Sequence, residues 1–338
     1  MPERVLALSE QVSTIATVRV DEIRRTTRAA RILGINAAIE SARSHNPAFA
    51  VVADEVSSLS TKIDELTEGL QRELDGKTAD LRNLGQLLVA QIRGSRLADL
   101  ALNMIDIIDR NLYERSCDVR WWATDSAVVD CAANPTPENC NWAARRLGVI
   151  LDSYTVYLDL WIADAAGKVL ANGRPSTYSA RQLNVKGEPW FRDAMQSRDG
   201  TDFIACDVAT APALSGAAVA TYAAAIREKG EVHGRAIGAM GIFFDWGKQS
   251  QAVVDSVRLT NGERERTTCL ILNGDHRVIA TSGGSGLNDR YSIVTGGQKI
   301  GSYVDPKGNL IGFALTPGYE TYKGLGWYGA LVQSNEQG

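Results

Sequence analysis

No stretch of this chain stays apolar long enough to cross a bilayer. The best run, Ala217 to Ala225, falls far short of the ~20 residues that a spanning helix needs. The start, Met1-Pro2-Glu3-Arg4, carries neither the basic region nor the apolar core of a secretory leader, so the expected compartment is the cytoplasm. Basic charge is not in excess. Lys and Arg number 36 against 40 Asp and Glu, and the net charge of −4 lacks the electrostatic footprint of a nucleic-acid binder. The three histidines (His45, His233, His276) are scattered, and none stands in ligand spacing with a cysteine or carboxylate, so no metal is expected. The five cysteines (Cys117, Cys131, Cys140, Cys206, Cys269) show no C-x-x-C spacing and read as small buried hydrophobes in a reducing compartment. Cys131 and Cys140 flank the loop beginning Asn134-Pro-Thr-Pro and could pair if oxidised, although disulfides are rare in the cytosol. A phosphate loop, a dinucleotide glycine fingerprint, a zinc-protease helix and a nucleophile elbow are all missing, so neither an enzyme nor a bound cofactor is expected.

Proline is absent between Pro47 and Pro135, which permits one nearly continuous helix of roughly 80 residues there. Before Pro47, Val5, Leu8, Val12 and Ile15 recur at steps of three and four. After it, Phe49, Val52, Val56, Leu59, Ile63, Leu66 and Leu70 alternate steps of three and four, the repeat of a coiled-coil seam. A second step of four, Leu70 to Leu74, interrupts that repeat before Leu81, Leu84 and Leu88 resume it. Gly69, Gly76, Gly85 and Gly94 lie inside the helix, each costing up to ~1 kcal/mol against alanine, and mark places for a bend.

From about Cys117 the texture changes to tryptophans (Trp121, Trp122, Trp142), then prolines, then short β-rich runs separated by glycine turns. Ile162-Ala-Asp-Ala-Ala-Gly-Lys-Val-Leu-Ala171 aligns without gaps to Ile271-Leu-Asn-Gly-Asp-His-Arg-Val-Ile-Ala280. A later glycine-rich strand, Ala236 to Phe244, recurs as Leu325 to Val332. An internal repeat of this kind predicts two related modules in tandem.

Two resemblances follow from these residues. Asn36-Ala-Ala-Ile-Glu-Ser-Ala-Arg43, a polar turn around Pro47, and Phe49-Ala-Val-Val-Ala-Asp-Glu-Val56 resemble the hairpin tip of the signalling domain of methyl-accepting chemotaxis receptors, over about Ile23 to Leu59. The tandem repeat, with Gly187-Glu-Pro-Trp-Phe191, Ala236-Ile-Gly-Ala-Met-Gly241 and Thr316-Pro-Gly-Tyr-Glu-Thr-Tyr322, resembles a double-Cache sensor of two PAS-like sheets on one long helix, over Cys117 to about Gln333. The order is the reverse of ordinary chemoreceptors, in which the sensor precedes a membrane helix and the hairpin comes last.

The resemblances imply an α+β fold. An N-terminal antiparallel helical hairpin and coiled coil with a long connecting helix would occupy 1–115, a first, ligand-binding Cache module 116–258, and a second Cache module 259–338. They imply a homodimer through the helical region, with contacts to a chemotaxis histidine kinase and its coupling protein at Ile32, Ile35, Asn36, Glu40, Arg43 and Val51. Arg28 stands where the family has a phenylalanine that helps dimers associate into trimers, and the turn is about two residues shorter.

For the sensor, the resemblance places a small-molecule pocket at Trp190 and Phe191, with Glu188, Tyr157, Trp161, Asp207 and Tyr222 as further candidates. The amino-acid-binding version has an Arg where Glu188 stands and an Asp where Phe243 stands. Without that guanidinium fork and that counter-charge, an α-amino acid is disfavoured. A cationic or hydroxylated ligand suits Glu188 better. The function expected is therefore a soluble chemoreceptor-like signal transducer. The alternatives are a scaffold or oligomerisation protein with a degenerate tip, and a cofactor or redox sensor using Cys206.

Overall fold

A computed structural model of the chain describes residues 2–45, 47–284 and 286–334. They form two compact units, one ending at Arg93 and the other beginning at Gly94. No helix among the described residues is long and apolar enough to cross a membrane.

The first unit is all helix. α1 spans Pro2–Ser44, and α2 spans Pro47–Trp122, with residues up to Arg93 in this unit. None of the interior glycines breaks α2. Residue pairs between the helices run in opposite sense: Glu10 faces Arg82 at 4.0 Å, Arg31 bonds Asp64 at 2.7 Å, and Gly34 lies against Ala53 and Val56. The buried seam is small and partly polar. Val20, Thr27 and Gly34 on α1 and Ala53, Ser60 and Thr67 on α2 recur at intervals of seven. The buried hydroxyls are satisfied locally, because Thr27, Ser60 and Thr67 each donate to the carbonyl four residues earlier. Most of the large apolar stripe read from the sequence stays outside, with Leu59, Leu66 and Leu70 exposed. Small side chains let two helices approach closely and leave these leucines exposed.

The second unit holds the remainder of α2, then α3 (Ser126–Ala133) and α4 (Pro137–Ser153), and two antiparallel sheets. The first sheet contains β1 (Tyr157–Asp164), β2 (Val169–Asn172), β3 (Ile204–Ala205), β4 (Ala209–Ala211), β5 (Ala217–Arg227) and β6 (Ala236–Asp245), in the order β2-β1-β6-β5-β3 with β4 also on β5. α5 (Pro189–Met195) covers one face. α6 (Trp246–Asp255) and α7 (Asn261–Arg264) lead to the second sheet: β7 (Thr267–Leu272), β8 (Val278–Thr281), β9 (Ile300–Val304), β10 (Leu310–Leu315) and β11 (Tyr328–Gln333), ordered β8-β7-β11-β10-β9.

The aligned segments fold alike. Ile162 pairs with Ala171 and Ile271 with Ala280, and each pair is followed by a register slip that skips one residue of the second strand, Leu170 or Ile279. In the turns, Asp164 accepts from the N–H groups of Ala166 and Lys168, and Asn273 accepts from those of Asp275 and Arg277. The same turn position is left-handed in both, Gly167 at φ 84° and His276 at φ 61°.

One buried cluster joins α2, α3 and α4 to both sheets. It includes Leu97, Met104, Leu112, Leu147, Ile162, Tyr222, Ile271 and Leu331. The second sheet lies close against α2 because two of its residues have no side chain. A Cβ on Gly312 would stand 2.4 Å from the carbonyl carbon of Leu97, and one on Gly329 2.5 Å from the carbonyl oxygen of Ala101. The modules are tied together at Trp246, whose indole donates to the Ile279 carbonyl at 2.7 Å and meets Trp327 edge-on at 4.9 Å.

Candidate functional site

The first sheet divides the candidate ligand residues between its two faces. On the outer face Trp161 from β1, Trp190 and Phe191 from α5, and Phe243 from β6 form a buried aromatic group with Val185, Leu214 and Val219. Trp161 and Phe243 have ring centroids 4.3 Å apart, and Trp190 stands edge-on to Phe243 at 6.0 Å and to Phe191 at 5.9 Å. α5 delivers its two aromatics because Pro189 starts the helix at a position where no N–H is needed. Glu188 stands at the N-cap position of that helix, makes no capping bond with its side chain, and is exposed.

The Trp161 ring is buried, and its N–H is committed to Asp159 at 2.9 Å. Asp159 is fully buried and also accepts from Asn172 Nδ2 and from the backbone N–H groups of Leu160, Gly173 and Arg174. Burial pushes its carboxyl above the usual range, and these donors pull the other way. The carboxylate thus fixes the indole and the start of the loop that covers the aromatic face. The sequence reading missed it because an Asp inside an apolar strand carries no ligand signature.

Tyr157 and Tyr222 face the opposite side, toward α2. Tyr157 donates to Asp118, and Tyr222, fully buried, stacks on Phe203 beside Tyr322. The cause at Tyr157 is a register slip in β1 between Tyr157 and Asp159, since one extra residue turns every earlier side chain to the other face. Asp207 belongs to the junction of the modules, where it accepts from Asn273 Nδ2 at 2.9 Å. The structure therefore brings Trp161, Trp190 and Phe191 together with Glu188 at their edge, and sets Tyr157, Tyr222 and Asp207 apart from them.

Cys206 has its thiol pushed up to about 11, first by burial and then by the carboxylates of Asp193, Glu188 and Asp207. No cluster of three or more His, Cys, Asp or Glu with metal-holding geometry occurs among the described residues. A cavity of about 540 Å³ opens in the second module, lined by Val254, Leu259, Arg264, Thr268, Cys269 and Ser282 among others. Arg264 is not free for an anion there, because it donates to the carbonyls of Asp255 and Val257.

The candidate partner-contact residues lie on both sides of the turn in the first unit. Ile32, Ile35, Asn36, Glu40 and Arg43 on α1 and Val51 on α2 are all exposed, and His45 turns the chain at φ 51°. Asn46 lies outside the described residues.

The two-sheet unit is similar in fold to solved sensor domains of chemoreceptors and histidine kinases. Solved structures similar to it include the sensory domain of the Campylobacter jejuni chemoreceptor Tlp3, at TM-score 0.52 and 17% identity, covering 72% of this chain and 93% of that one. The ligand-binding domain of Mlp24 with asparagine matches at TM-score 0.52 and 17% identity, covering 72% and 95%. The extracellular domain of rpHK1S-Z16, assigned as a histidine kinase, matches at TM-score 0.54 and 14% identity, covering 74% and 97%. No protein-family model matches the chain, and no curated protein matches its sequence.

Proposed function

We propose that the chain is a chemoreceptor-like signal transducer. A double-Cache sensor binds a small molecule over the aromatic face of its first module and biases a helical hairpin that contacts a chemotaxis histidine kinase and its coupling protein. The observation that carries this reading is α2 itself. Its residues before Arg93 pack with α1, and its residues from Leu97 to Trp122 pack under both sheets. A ligand that moves the first sheet acts on that same helix, provided its affinity differs between two packings of it. The exposed Leu59, Leu66 and Leu70 support a homodimer through the helical unit, and the exposed Ile32, Ile35, Asn36, Glu40, Arg43 and Val51 support a partner surface at its tip.

The asparagine of Mlp24 does not carry over to this chain. Phe243 fills the position of the counter-charge, and its ring is packed on Trp161. The expected ligand is cationic or hydroxylated, with the exposed Glu188 as a charged contact. The cavity of about 540 Å³ favours a second reading, in which the ligand enters the second module instead.

The test is a thermal-shift screen of metabolite classes followed by kinase assays with the coupling protein present. A hit lost in Trp190→Ala but kept in Thr268→Trp supports the first module, and the reverse result supports the second. Arg43→Glu should alter the coupled kinase activity. If it changes nothing, the tip assignment fails while the sensor reading stands.

A further inference from the structure

We propose that Cys131 and Cys140 are a built disulfide site, two thiols held face to face by the turn between α3 and α4 and closed by exchange with a small-molecule disulfide such as glutathione disulfide. Their sulfur atoms stand 3.2 Å apart in a buried setting, and an S–S bond of about 2.05 Å asks them to close by roughly an ångström. The turn fixes the pair from both ends. The Asn134 N–H donates to the Asp130 carbonyl at the end of α3, and the Thr136 hydroxyl accepts from the Asn139 N–H at the start of α4. Asn139 Nδ2 also donates to the Asn134 carbonyl at 2.9 Å, lacing the turn to α4. Pro135 and Pro137 lock φ on either side of Thr136. Nothing in the ligand face or the partner surface requires two thiols here.

The chemistry runs in two exchanges. Cys140 keeps 7% of its surface exposed and Cys131 none, so the Cys140 thiolate attacks first. One glutathione thiolate leaves and a mixed disulfide remains at Cys140. The Cys131 thiolate then attacks Cys140 Sγ and expels the second glutathione thiolate. The two cysteines are oxidised, one glutathione disulfide is reduced to two thiols, and the two cysteine protons end on those thiols. Burial and the neighbouring Cys140 push the Cys131 thiol up, so the second exchange quickens as the pH rises.

The test uses the full chain, incubated with glutathione disulfide or with dithiothreitol, then denatured, alkylated and weighed. Reduced protein should take up alkyl groups on all five cysteines. Oxidised protein should lose two of those sites, give a Cys131–Cys140 linked peptide on digestion, and melt at a higher temperature than the reduced form. Five alkylated cysteines after oxidation, a glutathione adduct that never resolves, a link to any other cysteine, or an unchanged or lower melting temperature would each overturn the proposal. None of these readouts needs a variant to fold.

Discussion

The hydroxyl of Tyr157 on β1 donates to the carboxylate of Asp118 on α2 at 2.5 Å, with both side chains buried. Arg115, one helical turn away, bonds the same carboxylate at 3.1 Å and lies over the Tyr157 ring at 5.1 Å. This is a polar tie between the long helix and the first sheet. Tyr157→Phe removes the donor and leaves Asp118 with the arginine alone. The expected cost is ~1.5–3 kcal/mol, the usual net worth of a hydrogen bond to a charged group. Urea unfolding at neutral pH checks it. Adding Asp118→Asn should make the loss from Tyr157→Phe smaller than in the parent, because the two groups act as a pair.

The same pair sets a pH dependence of unusual sign. Burial raises the Asp118 carboxyl above its ordinary 3.8, against the pull of Tyr157 and Arg115. A raised carboxylate contributes stability that is fully present below 3.8 and lost as the pH rises through its folded value. Glu263 runs the other way. Arg96 holds it down to about 2 through two hydrogen bonds of 2.9 and 3.1 Å, so its contribution is present above 4.5 and lost as the pH falls toward 2. Arg96 is about half exposed, so solvent screening keeps that contribution to roughly 1 kcal/mol or less. Asp118→Asn should therefore flatten the loss of stability above pH 3.8, and Glu263→Gln should flatten the loss below 4.5. Denaturant melts across that range decide both.

Gly312→Ala should be among the more damaging single-carbon changes in the chain. The new methyl would press on backbone atoms of Leu97 and Ala98, which cannot rotate away, so the second sheet must lift from α2. A cost of ~1–3 kcal/mol or more is expected from overpacking. Gly187→Ala, where nothing lies within 4 Å, should stay within about half a kcal/mol of the parent. Equal melting temperatures for the two variants would contradict the close approach.

The helices and the repeat were legible in the sequence for simple reasons. A proline gap followed by three-four spacing leaves few alternatives to α2, and the offset between Ile162 and Ile271 carries whole turns with it, down to Asp164 and Asn273. Which face a strand residue occupies was less legible. Tyr157 and Trp161 share a parity, yet the slip at Leu158 separates them, and nothing in the residues near it announces a bulge. The seam of the helical unit was hidden for a different reason. Leucines dominate the periodic signal, while the contact inside one chain is made by Val20, Thr27, Gly34, Ala53, Ser60 and Thr67. Periodicity reports which residues want burial, not what buries them.

That distinction yields the last prediction. Leu66 is 73% exposed on α2 and Leu59 is 58% exposed, at a spacing of seven that puts both on one face. A second copy docking there by a two-fold axis buries each leucine twice. Burying one such side chain is worth ~1.5–3 kcal/mol, so the pair of Leu66 side chains contributes ~3–6 kcal/mol to association. Leu66→Glu should weaken dimerisation by at least ~100-fold. Glutamate is a good helix former, so the circular dichroism of the variant should match the parent. Sedimentation equilibrium across a dilution series measures the effect. A variant that keeps its helix and dimerises as tightly as the parent would show that this face is not where two copies meet.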